Sequence, residues 1–462
     1  MSTSEVQKGT CSENTDTCKI AGGSDLHQFF RYTIPTMFFM FVGGLYNIAD
    51  GIFVGKATGE TGLAACLVTF PIYCVLFALG DMIGVGGAIL IARYRGEGRP
   101  EMANRIYSAI FGLVLLLYVG LLVIYALFGR EILIFSGATP EILPLSAQYF
   151  GIVMVGCFPM LLWVCLASVL RSDDRPSLSS WLMVLGAVGN IILDYVFIMR
   201  WGYGVPGAAI ATVVAECFPL ICGFFYFFSP YCRLKFQFRD MFPSWHDAWE
   251  ICRCGIPSFG AQSAVAVMLL CHNLQALRWG GDVALAAYAS ICMIESLASM
   301  IMQGIASGLQ PLVSYYYGAR DFVRNRRFLR YGLVFSFLVG VLGALFSVLV
   351  CKTLPLFMGL EGETAEIATR GLLISAPAFL GIGIVKTGSY YYQATERIVA
   401  ASILIYGDCI ILPLCLFLLP FVFGLDGVWM AMAVSRFILV VILILLAIFP
   451  WFRKKMSLYD ST

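Results

Sequence analysis

Charge is scarce in this chain. Of its 462 residues only 13% are Asp, Glu, Lys or Arg, about half the roughly 25% of a soluble domain. Histidine is scarcer still, with His27, His246 and His272 as the full complement. No nucleophile–base constellation and no metal motif stands out, so no enzyme, cofactor or metal is expected. The GxxxxGK[ST] phosphate loop is missing, which argues against ATP-driven work. A net charge of +2 gives no basis for nucleic-acid binding. Residues 1–28 hold no apolar run with a cleavage pattern and do not read as a signal peptide. They are expected to form a cytosolic tail. The sixteen cysteines do not read as a disulfide framework. Most lie in apolar segments, where a thiol behaves as a small hydrophobe. Cys252 and Cys254 form one close pair, without the second pair that a zinc site needs.

Hydrophobic residues make up 60% of the chain, in blocks of the length a bilayer demands. The hydrocarbon core takes about 20 apolar residues per spanning helix. Twelve spans are expected, at 29–55, 63–92, 104–128, 142–170, 177–200, 205–228, 251–279, 283–316, 328–352, 366–393, 398–422 and 425–450. Pro35, inside the first, removes a helix hydrogen bond and should allow bending. Lys and Arg follow the positive-inside pattern. With both termini on one side, 22 of the 30 fall on that side and six on the other: Lys56, Arg130, Arg200, Arg278, Lys352 and Arg370. Both termini are therefore expected in the cytosol.

The chain repeats itself at an offset of 222. Ile34-Pro35 meets Ile256-Pro257, Gly86 meets Gly308, Gly96 meets Gly318, Arg105 meets Arg327 and Arg175 meets Arg397. Farther on the offset becomes 220, so that Gly204 and Gly207 meet Gly424 and Gly427. A near-constant offset argues for duplication. Six spans per half means that each half starts and ends on the same side, so the repeats are parallel and related by an axis along the membrane normal. The expected fold is an all-α integral membrane protein of twelve transmembrane helices in two parallel-repeat six-helix bundles. Its parts are an N-terminal tail 1–28, an N-lobe 29–228, a cytosolic linker 229–250, a C-lobe 251–450 and a C-terminal tail 451–462.

Four stretches carry a family resemblance: "IPTMFFMFVGGLYNIADGIFVG" (34–55), "GNIILDYVF" (189–197), "GVPGAAIAT" (204–212) and "SYYYGARDFVRNRR" (314–327). Together they resemble the multidrug and toxic compound extrusion (MATE) transporters, in the bacterial branch with a Tyr-Asn-Ile-x-Asp run in its first helix. The resemblance implies a secondary active multidrug antiporter of the bacterial cytoplasmic membrane. It would export small amphipathic or cationic substrates in exchange for protons or sodium, as a monomer in the bilayer. A flippase for lipid-linked sugars or another amphipathic lipid is the alternative. Few Lys or Arg lie within the spans, which favours the drug exporter.

Ionisable side chains inside a bilayer cost at least about 2.5–3.5 kcal/mol at the centre unless paired or hydrated, so each is a functional candidate. Asp50 and Asp194 each lie six residues before a basic residue at the outer end of a span, Lys56 and Arg200. That is about 9 Å deep. Asn190 is one turn deeper than Asp194 on the same helix face, and Thr212 shares the layer. Paired carboxylates suit a proton switch, and the mixed oxygens suit sodium. An inter-helix polar clamp is the plain structural alternative. The resemblance assigns Asp50, Asn190, Asp194 and Thr212 to a cation-coupling site. The C-lobe has not kept it: Asp50 maps to His272, Asn190 and Asp194 to about Leu412 and Leu416. Candidates for the substrate cavity are Met40, Tyr46, Met268, His272 and Glu295. Asp408 and Arg436 are expected to pair, as buried charges must, and Lys386 to snorkel toward the interface.

Overall fold

The computed structural model describes residues 24–448 apart from 137, 139, 141, 358 and 359; the side chains of 45–64, 67, 266, 282 and 289, Asp50 and Tyr46 among them, lie outside the description. The described residues form helices joined by short loops. They are α1 (Asp25–Gly96), α2 (Pro100–Phe135), α3 (Leu143–Ser172), α4 (Pro176–Asp194) with a π-helical extension Tyr195–Arg200, and α5 (Gly204–Phe227). A loop with one 3-10 turn leads to α6 (Trp245–Gly318), α7 (Phe322–Val350), α8 (Thr353–Phe357), α9 (Gly362–Ser375), α10 (Ala378–Ala394), α11 (Ile398–Leu418), α12 (Pro420–Phe423) and α13 (Leu425–Ile448).

The two longest helices are hairpins. At 1.5 Å per residue, the 72 residues of α1 would reach about 108 Å if straight, against about 30 Å of hydrocarbon. Its two ends instead meet one place on α6. Tyr316 Oη donates to Gln28 Oε1 at 2.9 Å, while Gly96 packs on Tyr315 O. In α6 the reversal sits at Gly281, whose φ of 64° is open to glycine and strained for other residues. Ten helices of the described residues are long and apolar enough to cross a membrane, and a pair bent by 48°, α9 with α10, makes an eleventh. The chain must also pass from Gln28 at one end to Val68 at the other, so the first arm of α1 is the twelfth span.

The duplication is written into the backbone. Left-handed residues recur at the offset of 222: Gly98 and Arg320, Asp174 and Glu396. Ion pairs recur too. Asp25 pairs with Arg327, and Asp247 with Arg105 at 2.6 Å. Each pair ties the start of one lobe's first helix to the other lobe. A Cβ placed on Gly96 would lie 2.0 Å from Tyr315 O, and one on Gly318 2.1 Å from Arg93 O. These two contacts exchange under the repeat. Both lie at one end of the bundle, as parallel repeats about a two-fold axis along the membrane normal require. Nearby, Gly86 packs on Ile251 O, Gly255 on Met82 O, Gly304 on Met37 and Gly308 on Tyr32 O. The lobes are therefore closed on each other, backbone to backbone, at this end.

The helices depart from the sequence reading in several places, two of them inside expected spans. The span expected at 366–393 breaks after Ser375, where Pro377 removes an N–H and crowds the preceding turn. The helix expected at 177–200 widens to π geometry after Asp194. Pro35 does not interrupt α1; the hydroxyls of Thr33 and Thr36 donate to Phe29 O and Tyr32 O around it, both at 2.8 Å.

The glycine contacts make a test. Gly96→Ala and Gly318→Ala each set a methyl against a backbone oxygen that cannot rotate away, and overpacking of this kind costs about 1–3 kcal/mol. In a background with its other cysteines removed, Cys254 is buried near this end and should be unreactive to maleimide. Either alanine should make it reactive. Unchanged protection would show that the glycines do not hold the end closed.

Candidate functional site

Two groups of polar residues inside the bundle, one per lobe, contain the expected site residues. In the N-lobe, Asp194 is the last residue of α4, 18 residues beyond Pro176. It thus lies about 27 Å from the closed end. Its side chain is fully buried, and Asn190, one turn earlier, is 3% exposed. The neighbours of Asn190 set its amide orientation. Its Nδ2 donates to Asp194 Oδ2 at 2.7 Å, and its Oδ1 accepts from the Thr212 backbone N–H at 3.2 Å. The Thr212 hydroxyl donates to Ala208 O of its own helix at 3.0 Å. Three of the four expected residues are therefore brought together, but Thr212 enters through its backbone. Asp50, the fourth, lies outside the described side chains. The π-helix begins directly after Asp194, and such widened turns are common at functional sites.

In the C-lobe a cluster of charge forms around Arg436 of α13. Arg436 pairs with Asp408 of α11, as expected, and lies 3.9 Å from Glu295 of α6. Its Nη2 also reaches Met268 Sδ at 3.9 Å. One turn beyond Met268, His272 Nδ1 lies 3.0 Å from Met268 O. The His272 ring stacks on Tyr288 at 5.1 Å and 8°, and Tyr288 on Trp429 at 6.1 Å and 14°. Since a carbonyl can only accept, Nδ1 carries the proton and Nε2 is left as an acceptor. Two of the cavity candidates, Met268 and Glu295, thus meet at one guanidinium, and His272 sits one turn beyond Met268. Met40 sits half-buried in α1, away from them, and Tyr46 lies outside the described side chains.

Lys386 does not snorkel to the interface. Its ammonium donates to Ser299 O at 3.2 Å and Gln303 Oε1 at 3.1 Å. Both acceptors sit near the middle of the Val283–Gly318 span. Sequence reasoning placed Lys386 by its distance to the helix end and missed the stripe Glu295, Ser299, Gln303. These recur at i, i+4 and i+8 and lie on one helix face; that spacing was the available signal. The arrival of Glu295 and Met268 of α6 at the expected Asp408–Arg436 pair had no signal in the sequence.

The N-lobe geometry separates two variants. Asn190→Ala leaves a buried carboxylate oxygen without its donor, which costs about 1–3 kcal/mol or more for a charged group. Thr212→Val keeps the backbone N–H that Asn190 uses and removes a hydroxyl that donates to Ala208 O at 3.0 Å and lies 3.5 Å from the Asn190 amide. Thermal unfolding in detergent should show a clear fall for Asn190→Ala and a small one for Thr212→Val. The reverse order would mean that the Thr212 hydroxyl, rather than its N–H, supports the layer.

Comparison with known proteins places this geometry. The sequence model of the MatE family matches residues 35–196 and again 257–416. The two matches begin 222 residues apart and end 220 apart, the same offsets that relate the lobes. Curated relatives include the multidrug export protein MepA of Staphylococcus saprophyticus, 27% identical over 88% of this chain and 90% of that protein. MepA of Staphylococcus aureus is 26% identical over 88% and 90%. Among solved structures, an outward-facing multidrug resistance MATE family transporter of the MOP superfamily superposes with a TM-score of 0.87 at 23% identity, covering 98% of this chain and all of that one. A MATE crystal structure in the bent conformation gives 0.84 at 24% identity, covering 97% and 99%. With both halves of the chain matched in register, the protein belongs to the MatE family.

Proposed function

We propose that this protein is a secondary active exporter of small amphipathic or cationic molecules, driven by proton or sodium antiport through alternating access. The observation that carries the reading is the closure of one end by exchanged glycine contacts between two duplicated lobes. Two rigid bundles that meet at one end, with polar layers farther along, are the parts that alternating access requires. Membership of the MatE family and the multidrug export relatives support the substrate class.

The closed end carries Arg93, Arg105, Arg320, Arg324 and Arg327, so the positive-inside bias places it in the cytosol. This orientation puts both termini and the 229–250 linker on the cytosolic side of a bacterial plasma membrane. Its ion pairs suit a reversible gate. The arginines of the Asp25–Arg327 and Asp247–Arg105 pairs are over 40% exposed, while Asp25 and Asp247 are 11% and 4% exposed, so each pair is open to water on its arginine side only. They set the register of closure without locking it; packing of the glycine faces supplies the rest. Asp194, with Asn190, Thr212 and Asp50, would then bind the coupling cation at the far end. Cation binding shifts the balance of states by its differential affinity for them.

The test is efflux from inside-out vesicles with pH and sodium gradients imposed separately. One gradient should drive export of an organic cation. Asp50→Asn and Asp194→Asn should abolish that export at normal expression, because neither amide can exchange a proton or supply a carboxylate charge. Full gradient-driven efflux from either variant would remove that residue from coupling. Labelling that reached Ser2 or Thr462 only from outside would overturn the orientation.

A further inference from the structure

Lys386 lies beside the charged group of the C-lobe without joining its ion pairs. Both nearby carboxylates are engaged with Arg436, Asp408 in an ion pair and Glu295 at 3.9 Å. Among the described residues no carboxylate lies within ion-pair distance of Lys386, and its hydrogen-bond partners are a backbone carbonyl and an amide oxygen. An ammonium at mid-span is costly unless compensated, and its two acceptors leave one N–H without a hydrogen bond. The side chain is half-buried rather than sealed, as are Ser299 and Gln303. Helix geometry orients the group. Gln310 Nε2 donates to Gln393 Oε1 at 3.0 Å near the closed end, and Gln303 and Lys386 each lie seven residues farther along, about 10 Å. The residues beside this stripe of α6 face α1, with Gly304 on Met37 and Gly44 on Met300 and Leu297. The ammonium therefore lies beside the seam along which α1 and α6 of the two lobes pack.

We infer that Lys386, held by Ser299 and Gln303, is a recognition site for the carboxylate of an amphipathic zwitterionic substrate. Glu295, two turns from Gln303 on the same stripe, selects for a compensating positive group and against simple anions. The inference rests on the exporter reading and adds a substrate class to it.

A matched pair of dyes tests it: a rhodamine with a free carboxylate and the methyl ester of that dye. Both carry the same delocalised cation, and only one carries the anion. Efflux of each from vesicles is measured under the driving gradient, and binding to detergent-purified protein by fluorescence anisotropy. Wild type should bind the zwitterion at least fivefold more tightly than the ester. Lys386→Gln should lower the zwitterion-to-ester efflux ratio at least tenfold, and Lys386→Arg should keep it within twofold. Equal binding of the two dyes by wild type would overturn the inference without recourse to any variant. So would an unchanged ratio in Lys386→Gln, or equal loss of both effluxes, the latter assigning Lys386 to energy coupling. Failure of wild type to export either dye, with its binding preference intact, would instead count against the exporter reading.

Discussion

Everything in this fold depends on how close two backbones can come at one end. Gly96 and Gly318 let the second arms of α1 and α6 touch main chain to main chain. No side chain larger than hydrogen fits there. Because each contact is the image of the other, closing the end and superposing the lobes are the same requirement. The surrounding ion pairs follow it. Asp25–Arg327 and Asp247–Arg105 obey the repeat because the helix starts that carry them are placed by the glycine faces.

That dependence explains what could be read from the chain alone. Gly96, Gly318, Arg105 and Arg327 are positions where the repeat is held by geometry, so the offset of 222 survived in the sequence. The spans were legible because a bilayer imposes length and apolarity on each of them. The bend at Pro377 was hidden by continuous hydrophobicity across 366–393, although the proline was in view. The π-helix after Asp194 leaves no compositional trace. Neither does the choice of Thr212 N–H over its hydroxyl, which depends on where the Asn190 amide sits. For Lys386, distance to the helix end suggested an interfacial ammonium, while the acceptors on α6 draw it to mid-span.

The two lobes share a fold and differ in what they bury. The N-lobe layer is small and hydrogen-bonded side chain to side chain and to backbone, about one buried carboxylate. In the C-lobe, two carboxylates, a guanidinium and an ammonium stand together with a stacked histidine. His272 occupies the position that corresponds to Asp50, and apolar residues those of Asn190 and Asp194. The duplicated gene therefore kept the helix-packing surface and released the interior.

Such a division is what a coupled exporter needs. If both lobes carried the same ion site, the ion would bias both alike, and nothing in the pair would distinguish ion from substrate. With an acid–amide layer in one lobe and a mixed-charge cluster in the other, an ion and an organic molecule can each act on a different lobe. The shared closed end then makes the two exclusive or cooperative, since neither lobe can move there without displacing a glycine contact of the other. Coupling between sites requires only that both ligands bias the same two-state element, and in the proposed exporter that element would be the two-fold seam.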